Sequence, residues 1–73
     1  MDIFQLQYFL SAAITGNFTM AAAENNISQS SFSKHIMALE NEMGVKLFYR
    51  NRKSISLTPA GERLQKHAYA ILG

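Results

Sequence analysis

The sequence predicts a mainly α fold with a small β-hairpin near its carboxyl end. Apolar residues recur at helical spacing in three segments, and a short alanine-rich segment lies between the first two. Before the last of these segments the period changes, and "KLFYR" and "SISLT" are rich in aromatic or β-branched residues. A chain of 73 residues without cysteine forms one small domain that lacks disulfides. Association with another subunit is therefore its expected extra source of stability.

The first helix is predicted to open at Asp2 and to end at Gly16. Asp2 and Gln5 are spaced as a capping box, in which each side chain accepts a hydrogen bond from the other residue's backbone. Glycine at position 16 suits the left-handed conformation in which many helices end. The buried stripe of this helix is predicted to comprise Leu6, Phe9, Leu10 and Ala13.

A short second helix, "MAAAEN", is predicted to follow, with Thr19 as its N-cap. Phe18 is predicted to enter the core just before this helix, and the alanines are small enough for another helix to approach closely. Asn25 and Asn26 are predicted to end it, because asparagine tolerates the left-handed conformation better than most residues.

The third helix is predicted to run from its N-cap Ser28 to about Met43, and Gly44 ends it. On a helical wheel its core stripe comprises Phe32, Ile36, Leu39 and Met43. The opposite side gathers Ser30, Ser33, Lys34 and Met37, with Gln29 at the exposed amino-terminal edge. An ordinary solvated face carries more Glu, Lys and Arg, although a single serine in a helix often only faces solvent. Small hydrogen-bonding side chains suit a helix that enters the major groove of DNA.

The chain after Gly44 is predicted to form a hairpin and then a fourth helix. Strands over residues 46–50 and 54–58 are joined by the polar "NRK". Thr58 is the predicted N-cap of the fourth helix, and Pro59 is its first residue. The apolar side of this helix, predicted to pair with a partner subunit or else to pack on its own domain, comprises Leu64, Ala68, Ile71 and Leu72.

Basic residues are concentrated in the second half of the chain. Residues 1–33 contain no Lys or Arg, although the net charge of the whole chain is +2. Four of the seven basic residues lie in one short stretch without acidic residues: Lys46, Arg50, Arg52 and Lys53. Such a cluster is either a solvated loop or a contact with nucleic acid. For Arg50 an ion pair with Glu40 or Glu42 is a further alternative.

A short helix, a tight turn and a second helix with this polar face form a helix-turn-helix, and the basic hairpin is then its wing. The segments "LQYFLSAA", "GNFTMAA", "ISQSSFSKHIMALE", "MGVKLFYR" and "LTPAGE" resemble the amino-terminal DNA-binding domain of LysR-type transcriptional regulators. The resemblance implies a winged helix-turn-helix over residues 1–58 and the start of a linker, or dimerisation, helix over residues 59–73. It also implies an effector-binding domain that is absent from this chain.

The resemblance further implies which residues bind. DNA contacts of the recognition helix are expected at Ser28, Gln29, Ser30, Ser33, Lys34 and Met37. Phosphate and wing contacts are expected at Asn17, Thr19, Arg50, Arg52 and Lys53. The dimer interface is expected at Leu64, Ala68, Ile71 and Leu72, with parts of the first helix.

Some positions depart from the family pattern. Lys34 stands where arginine is commoner, and lysine lacks the bidentate fork that reads guanine well. Met37 and Ala38 replace residues that are often basic, which weakens the expected attraction to phosphate. Asn25 replaces a usual leucine and puts a polar group near the core.

These features predict a sequence-specific DNA-binding domain of a bacterial regulator rather than an enzyme. The family resemblance implies that it binds an interrupted palindrome as a homodimer and that the full-length protein is a tetramer. The wing is expected to lie on the backbone or in the minor groove. The sequence offers no supported nucleophile–base pair, and His35 and His67 make a poor metal site. No cofactor is predicted in this domain, and a small-molecule effector would bind elsewhere. The acidic amino terminus and the lack of a long apolar run predict a cytoplasmic protein without membrane contact.

Two other readings fit parts of the pattern. A winged helix can serve only as a protein-interaction or dimerisation module, although the basic "YRNRK" argues against that use here. The amino-terminal domain of molybdate-responsive regulators shares the same architecture, and only the rest of the chain would separate it from the LysR type.

Overall fold

The computed structural model of the chain, which describes residues 1–72, consists of four helices and one hairpin. In chain order these elements are α1 (Ile3–Thr15), α2 (Phe18–Glu24), α3 (Gln29–Met43), β1 (Phe48–Arg50), β2 (Ile55–Leu57) and α4 (Pro59–Leu72). The two strands are antiparallel, and Tyr49 lies opposite Ser56. The mainly helical prediction is therefore confirmed, although both strands are shorter than predicted. Gly73, which the predicted linker helix includes, lies outside the described residues.

The predicted ends of α1 are confirmed. The Gln5 N–H donates to Asp2 Oδ1 at 2.8 Å, and the Asp2 N–H donates to Gln5 Oε1 at 3.3 Å, which completes the capping box. At the other end Gly16 has a φ of 68°, and its N–H donates to the carbonyl of Ala12. Its own carbonyl accepts a hydrogen bond of 3.0 Å from the Ile55 N–H, which attaches the end of α1 to the wing.

The start of α2 differs from the prediction, because Asn17 rather than Thr19 is the N-cap. Asn17 has an extended backbone, and its Oδ1 accepts a hydrogen bond of 3.0 Å from the Met20 N–H. Both residues are good N-caps, but Asn17 lies at the position from which a side-chain oxygen reaches the first turn. Thr19 therefore belongs to the first turn of α2, and its hydroxyl is free to make another contact.

The turn between α2 and α3 accommodates the unusual Asn25. Its Nδ2 donates to the Ala21 carbonyl at 2.7 Å and to Ser11 Oγ at 3.0 Å. The polar group near the core is thus hydrogen-bonded, which is the condition for burying it at low cost. Asn26 follows with a φ of 59°, which confirms the prediction that asparagine closes this helix in the left-handed region.

One core joins all the helices to the wing. Its buried members are Leu6, Phe9, Ala12, Ala21, Ala22, Phe32, Ile36, Leu39, Leu47, Phe48, Leu64 and Ala68. Phe18 lies edge-on to Phe48, with 5.5 Å between ring centroids, and 5.7 Å from Phe32, so the start of α2 packs against both α3 and β1. The prediction that Met43 belongs to the core stripe is wrong, since Met43 is 40% exposed at the last turn of α3.

The first turns of α4 pack tightly against the base of the wing. Thr58 Oγ1 accepts a hydrogen bond of 3.0 Å from the Gly61 N–H and donates to the Lys46 carbonyl at 2.6 Å, which supports its predicted role as N-cap. A Cβ at position 61 would clash with the carbonyl oxygen of Leu47 and lie 2.8 Å from Leu57 Cδ2. Only glycine therefore allows this close approach of the helix to the hairpin.

Two residues of the predicted dimer interface lie in the core instead. Leu64 is 5% exposed and Ala68 is fully buried, so neither offers surface to a partner, and the prediction is wrong for both. Ile71 is 64% exposed, and Leu72 is half-buried. The apolar stripe of α4 thus packs largely on its own domain.

None of the helices within residues 1–72 combines the length and the apolar character needed to cross a membrane.

Candidate nucleic-acid interface

The outward face of α3 is slim and polar, as predicted. Ser30, Lys34 and Met37 are exposed, and Ser33 is half-buried. Behind them the helix is fixed to the core by fully buried Phe32, Ile36 and Leu39. Lys34 has no ion-pair partner among the described residues. The helix is thus anchored to the core by one side and presents small hydrogen-bonding groups and one cation on the other.

The amino ends of α2 and α3 lie side by side. Ser28 caps α3 by accepting a hydrogen bond of 3.1 Å from the Ser31 N–H, and Asn17 caps α2 in the same way. Thr19 and Gln29, one from each first turn, are joined by a hydrogen bond of 2.9 Å between Thr19 Oγ1 and Gln29 Oε1. A helix amino terminus favours an anion, because its first N–H groups lack partners within the helix.

A groove runs from these amino ends to the wing. Its lining residues are Asn17, Phe18, Thr19, Gln29, Arg50, Asn51, Arg52, Lys53, Ser54 and Ile55. None of them is acidic, so the groove has a positive potential that attracts phosphate. The structure thus brings together all the predicted phosphate and wing residues with Gln29. Ser30, Ser33, Lys34 and Met37 are not among the lining residues and belong to the outward face of α3 itself.

The basic residues of the wing occupy two different environments. At its base, Arg50 Nη2 lies 2.7 Å from Glu40 Oε1, and the guanidinium stands 4.9 Å over the centre of the Phe18 ring. At its tip, the Asn51 N–H donates to the Ser54 carbonyl and closes the turn. Arg52 and Lys53 on this turn are exposed and have no ion pair within residues 1–72. The alternative that Arg50 pairs with Glu40 is therefore confirmed. The contact of Arg50 with DNA stays a prediction.

Glu40 has a structural role beyond its predicted ion pair with Arg50. It is 2% exposed, and its Oε2 accepts hydrogen bonds from the Leu47 N–H at 2.8 Å and the Phe48 N–H at 3.4 Å. One carboxylate on α3 thus holds the start of β1 and the guanidinium of Arg50. A signal was present, since position 40 falls on the core side of the helix beside Ile36, where a carboxylate requires a buried partner.

His35 and His67 are both exposed. The ring of His35 lies edge-on to Tyr8, with 5.2 Å between centroids. Within residues 1–72 no three His, Asp or Glu side chains are grouped closely enough to hold a metal ion.

Comparison with known proteins identifies the family to which this sequence is similar. The sequence model described as "Bacterial regulatory helix-turn-helix protein, lysR family" matches residues 3–62. The chain belongs to the LysR family. Over its whole length this LysR-type chain is 42% identical to a probable cat1 operon transcriptional activator of Acinetobacter lwoffii. It is also 44% identical, over 99% of its length, to the HTH-type transcriptional regulator HdfR of Yersinia pestis (strain Pestoides F). The chain spans 24% and 25% of these two relatives.

Solved structures of LysR-type domains have the same fold. The crystal structure of the CbnR_DBD-DNA complex matches with a TM-score of 0.95 and 38% identity, over 99% of this chain and 83% of that one. The BenM_DBD/catB site 1 DNA complex matches with a TM-score of 0.93 and 32% identity, over 99% and 80%. The predicted winged helix-turn-helix is thereby confirmed, and the LysR-type chain is a helix-turn-helix DNA-binding domain.

Proposed function

We propose that α3 is a recognition helix that reads base edges in the major groove. One observation carries the proposal: the outward face of α3 holds Ser30, Ser33 and Lys34, while the inner face is fully buried. Serine in a helix interior is a weaker helix former than Glu or Lys, so the outward face is not optimised for helix stability. Because the side chains of this face are small, the helix backbone can approach the base pairs. The serine hydroxyls and the amide of the neighbouring Gln29 can donate and accept hydrogen bonds there.

The wing and the two amino ends are proposed to hold the DNA backbone. The groove lined by Thr19, Gln29 and the wing tip carries positive charge without acidic residues, which suits a phosphate. Arg52 and Lys53 are the exposed cations at its rim and contact the backbone or enter the minor groove. Contacts of this kind fix the register of the domain on the duplex but carry little sequence information.

The full-length protein is proposed to be a LysR-type regulator that binds an interrupted palindrome through paired domains. Residues 59–73 would begin a linker helix, and an effector-binding domain would follow outside this chain. Pairing is supported by large apolar side chains left exposed on the first and last helices, such as Phe4 at 62% and Ile71 at 64%. Sedimentation of the Ile71→Ser variant beside the parent chain tests the contribution of α4 to pairing.

The proposal that α3 reads bases is tested by two single substitutions. Gln29→Ala and Ser33→Ala are expected to weaken binding to the preferred duplex by about 1–3 kcal/mol and to relax its sequence preference. The preferred duplex is first selected from a randomised pool, and affinities are measured by fluorescence anisotropy against a scrambled duplex. Gln7→Ala, an exposed glutamine on α1, is the matched control.

Unchanged affinity of both variants on the preferred duplex would contradict base reading by α3. Weak binding to DNA that does not depend on the salt concentration, together with tight association between protein chains, would favour the alternative of a protein-interaction module.

A further inference from the structure

Arg50 lines the groove between the two helix amino ends and the wing, and 37% of its side chain is exposed. A guanidinium carries five N–H donors and no acceptor. Within residues 1–72 only its Nη2 has a hydrogen-bond partner, which is Glu40 Oε1 at 2.7 Å. Arg50 therefore has both the exposure and the spare donors that binding to a phosphate requires.

Glu40 opposes this use of Arg50 in two ways. Its buried carboxylate compensates the charge of the guanidinium, so the pair adds little net positive potential to the groove. It also holds the guanidinium in one place, together with the Phe18 ring, whose centre lies 4.9 Å from the guanidinium carbon. Glu40 is itself fixed, because its Oε2 accepts hydrogen bonds from the Leu47 and Phe48 N–H groups.

We propose that Glu40 is a positioning residue that limits the strength of DNA binding by holding Arg50 and compensating its charge. The inference rests on the proposed function, since it requires that the groove meets the DNA backbone. The phosphates then meet Arg52 and Lys53, which have no ion pair within residues 1–72, while Arg50 contributes little. Because phosphate contacts carry little sequence information, Glu40 limits binding to all duplexes alike.

Glu40→Gln tests this inference with little change in side-chain shape. The single oxygen of an amide can keep the bonds to the N–H groups of β1, and the Nε2 donors then face a guanidinium that has only donors. Arg50 is thereby released, and the groove gains an uncompensated cation. We expect about fivefold tighter binding to every duplex at about 0.1 M salt, with a slope of log affinity against log salt steeper by about one unit. A loss of stability alone would weaken binding instead.

Two variants serve as matched controls in anisotropy titrations on the selected and a scrambled duplex. Glu62→Gln also removes one negative charge, at an exposed position of α4 outside the groove, and should leave the slope unchanged. Glu40→Gln combined with Arg50→Gln keeps the net charge of the parent chain but lacks the released guanidinium, so its slope should return to the parent value. Equal gains from Glu40→Gln and Glu62→Gln, or no gain from a folded Glu40→Gln, would overturn the inference.

A spectroscopic measurement on the parent chain tests the inference even if Glu40→Gln does not fold. The Nε–H signals of Arg50 and Arg52 are followed in the nitrogen-15-labelled chain as duplex is added, and are assigned by their loss in Arg50→Gln and Arg52→Ala. We expect the Arg52 signal to shift and the Arg50 signal to stay nearly in place. In Glu40→Gln, with its fold verified by thermal unfolding, both signals should shift. Equally large shifts of both signals in the parent chain would overturn the inference.

The inference and the proposed function can fail separately. If Arg52→Ala combined with Lys53→Ala lowers the salt slope but Glu40→Gln does not raise it, the wing binds phosphate and only the inference about Glu40 is wrong. If neither change alters the slope, the groove does not bind the DNA backbone, and this part of the proposed function is wrong as well.

Discussion

The base and the tip of the wing carry cations of the same kind in opposite environments. Arg50 at the base is fixed between Glu40 and the ring of Phe18. Arg52, only two positions further, is exposed beside Lys53 and has no ion pair among the described residues. One basic stretch thus divides into a structural part and a part that faces solvent.

This difference shows that a count of basic residues overstates the charge available to DNA. The charge of Arg50 is already compensated by the Glu40 carboxylate, which is 1% exposed at its side chain, so Arg50 adds less net positive charge for phosphate than an unpaired arginine. The cations at the tip lose only solvent and counterions when they meet phosphate. The base should therefore determine stability, and the tip should determine attraction to DNA.

The largest effect is expected from removing the guanidinium at the base. Arg50→Ala leaves the buried Glu40 carboxylate without its cation and should lower the free energy of unfolding by about 2–4 kcal/mol. Arg52→Ala, the matched change at the tip, should alter it by less than about 0.5 kcal/mol. Urea titration followed by circular dichroism measures both values. Equal losses for the two variants would remove the distinction between base and tip.

A second effect at the base concerns the contact between α4 and the hairpin. Gly61→Ala places a methyl group against the Leu47 carbonyl and should cost about 1–3 kcal/mol of stability, because the packed backbone must shift. Ala70→Gly, at an exposed position of the same helix, is a control for helix propensity. If Gly61→Ala were as stable as the parent chain in thermal unfolding, the tight contact between α4 and the hairpin would not require glycine.

The smallest effect on stability, and the clearest effect on binding, is expected at the tip. Arg52→Ala combined with Lys53→Ala should weaken binding to all duplexes alike and reduce the slope of log affinity against log salt by about one unit per lost contact. Anisotropy titrations at several salt concentrations give the slope for this variant and the parent chain. A slope identical to that of the parent would show that the tip does not touch phosphate.

The sequence predicted the elements well because their signals are local. The capping box of Asp2, the left-handed Gly16 and the N-cap Ser28 all act within one turn of the chain and are all present. The exception is the start of α2: Asn17 and Thr19 are both good N-caps two positions apart, and the helix begins at Phe18, so Asn17 is the cap.

Contacts between distant segments were harder to predict. Periodicity identifies the apolar side of α4 but not what covers it. For Leu64 and Ala68 it leaves a partner subunit and the domain's own core as alternatives, and the core buries both residues. The same limit applies to the wing. In the sequence its basic residues look alike, and only the fold brings Glu40 of α3 next to Arg50. The outward face of α3 was predicted correctly in position because helical geometry alone sets it.

The central claim is that the outward face of α3, the amino end of α2 and the wing tip form one surface that binds DNA. Titrating the labelled chain with its selected duplex, followed by amide chemical shifts, tests this most directly. We expect the amide signals of residues 17–20, 29–34 and 51–54 to shift together, while those of residues 66–70 on α4 stay in place. Shifts confined to α4, with the amides of residues 29–34 unmoved, would contradict it.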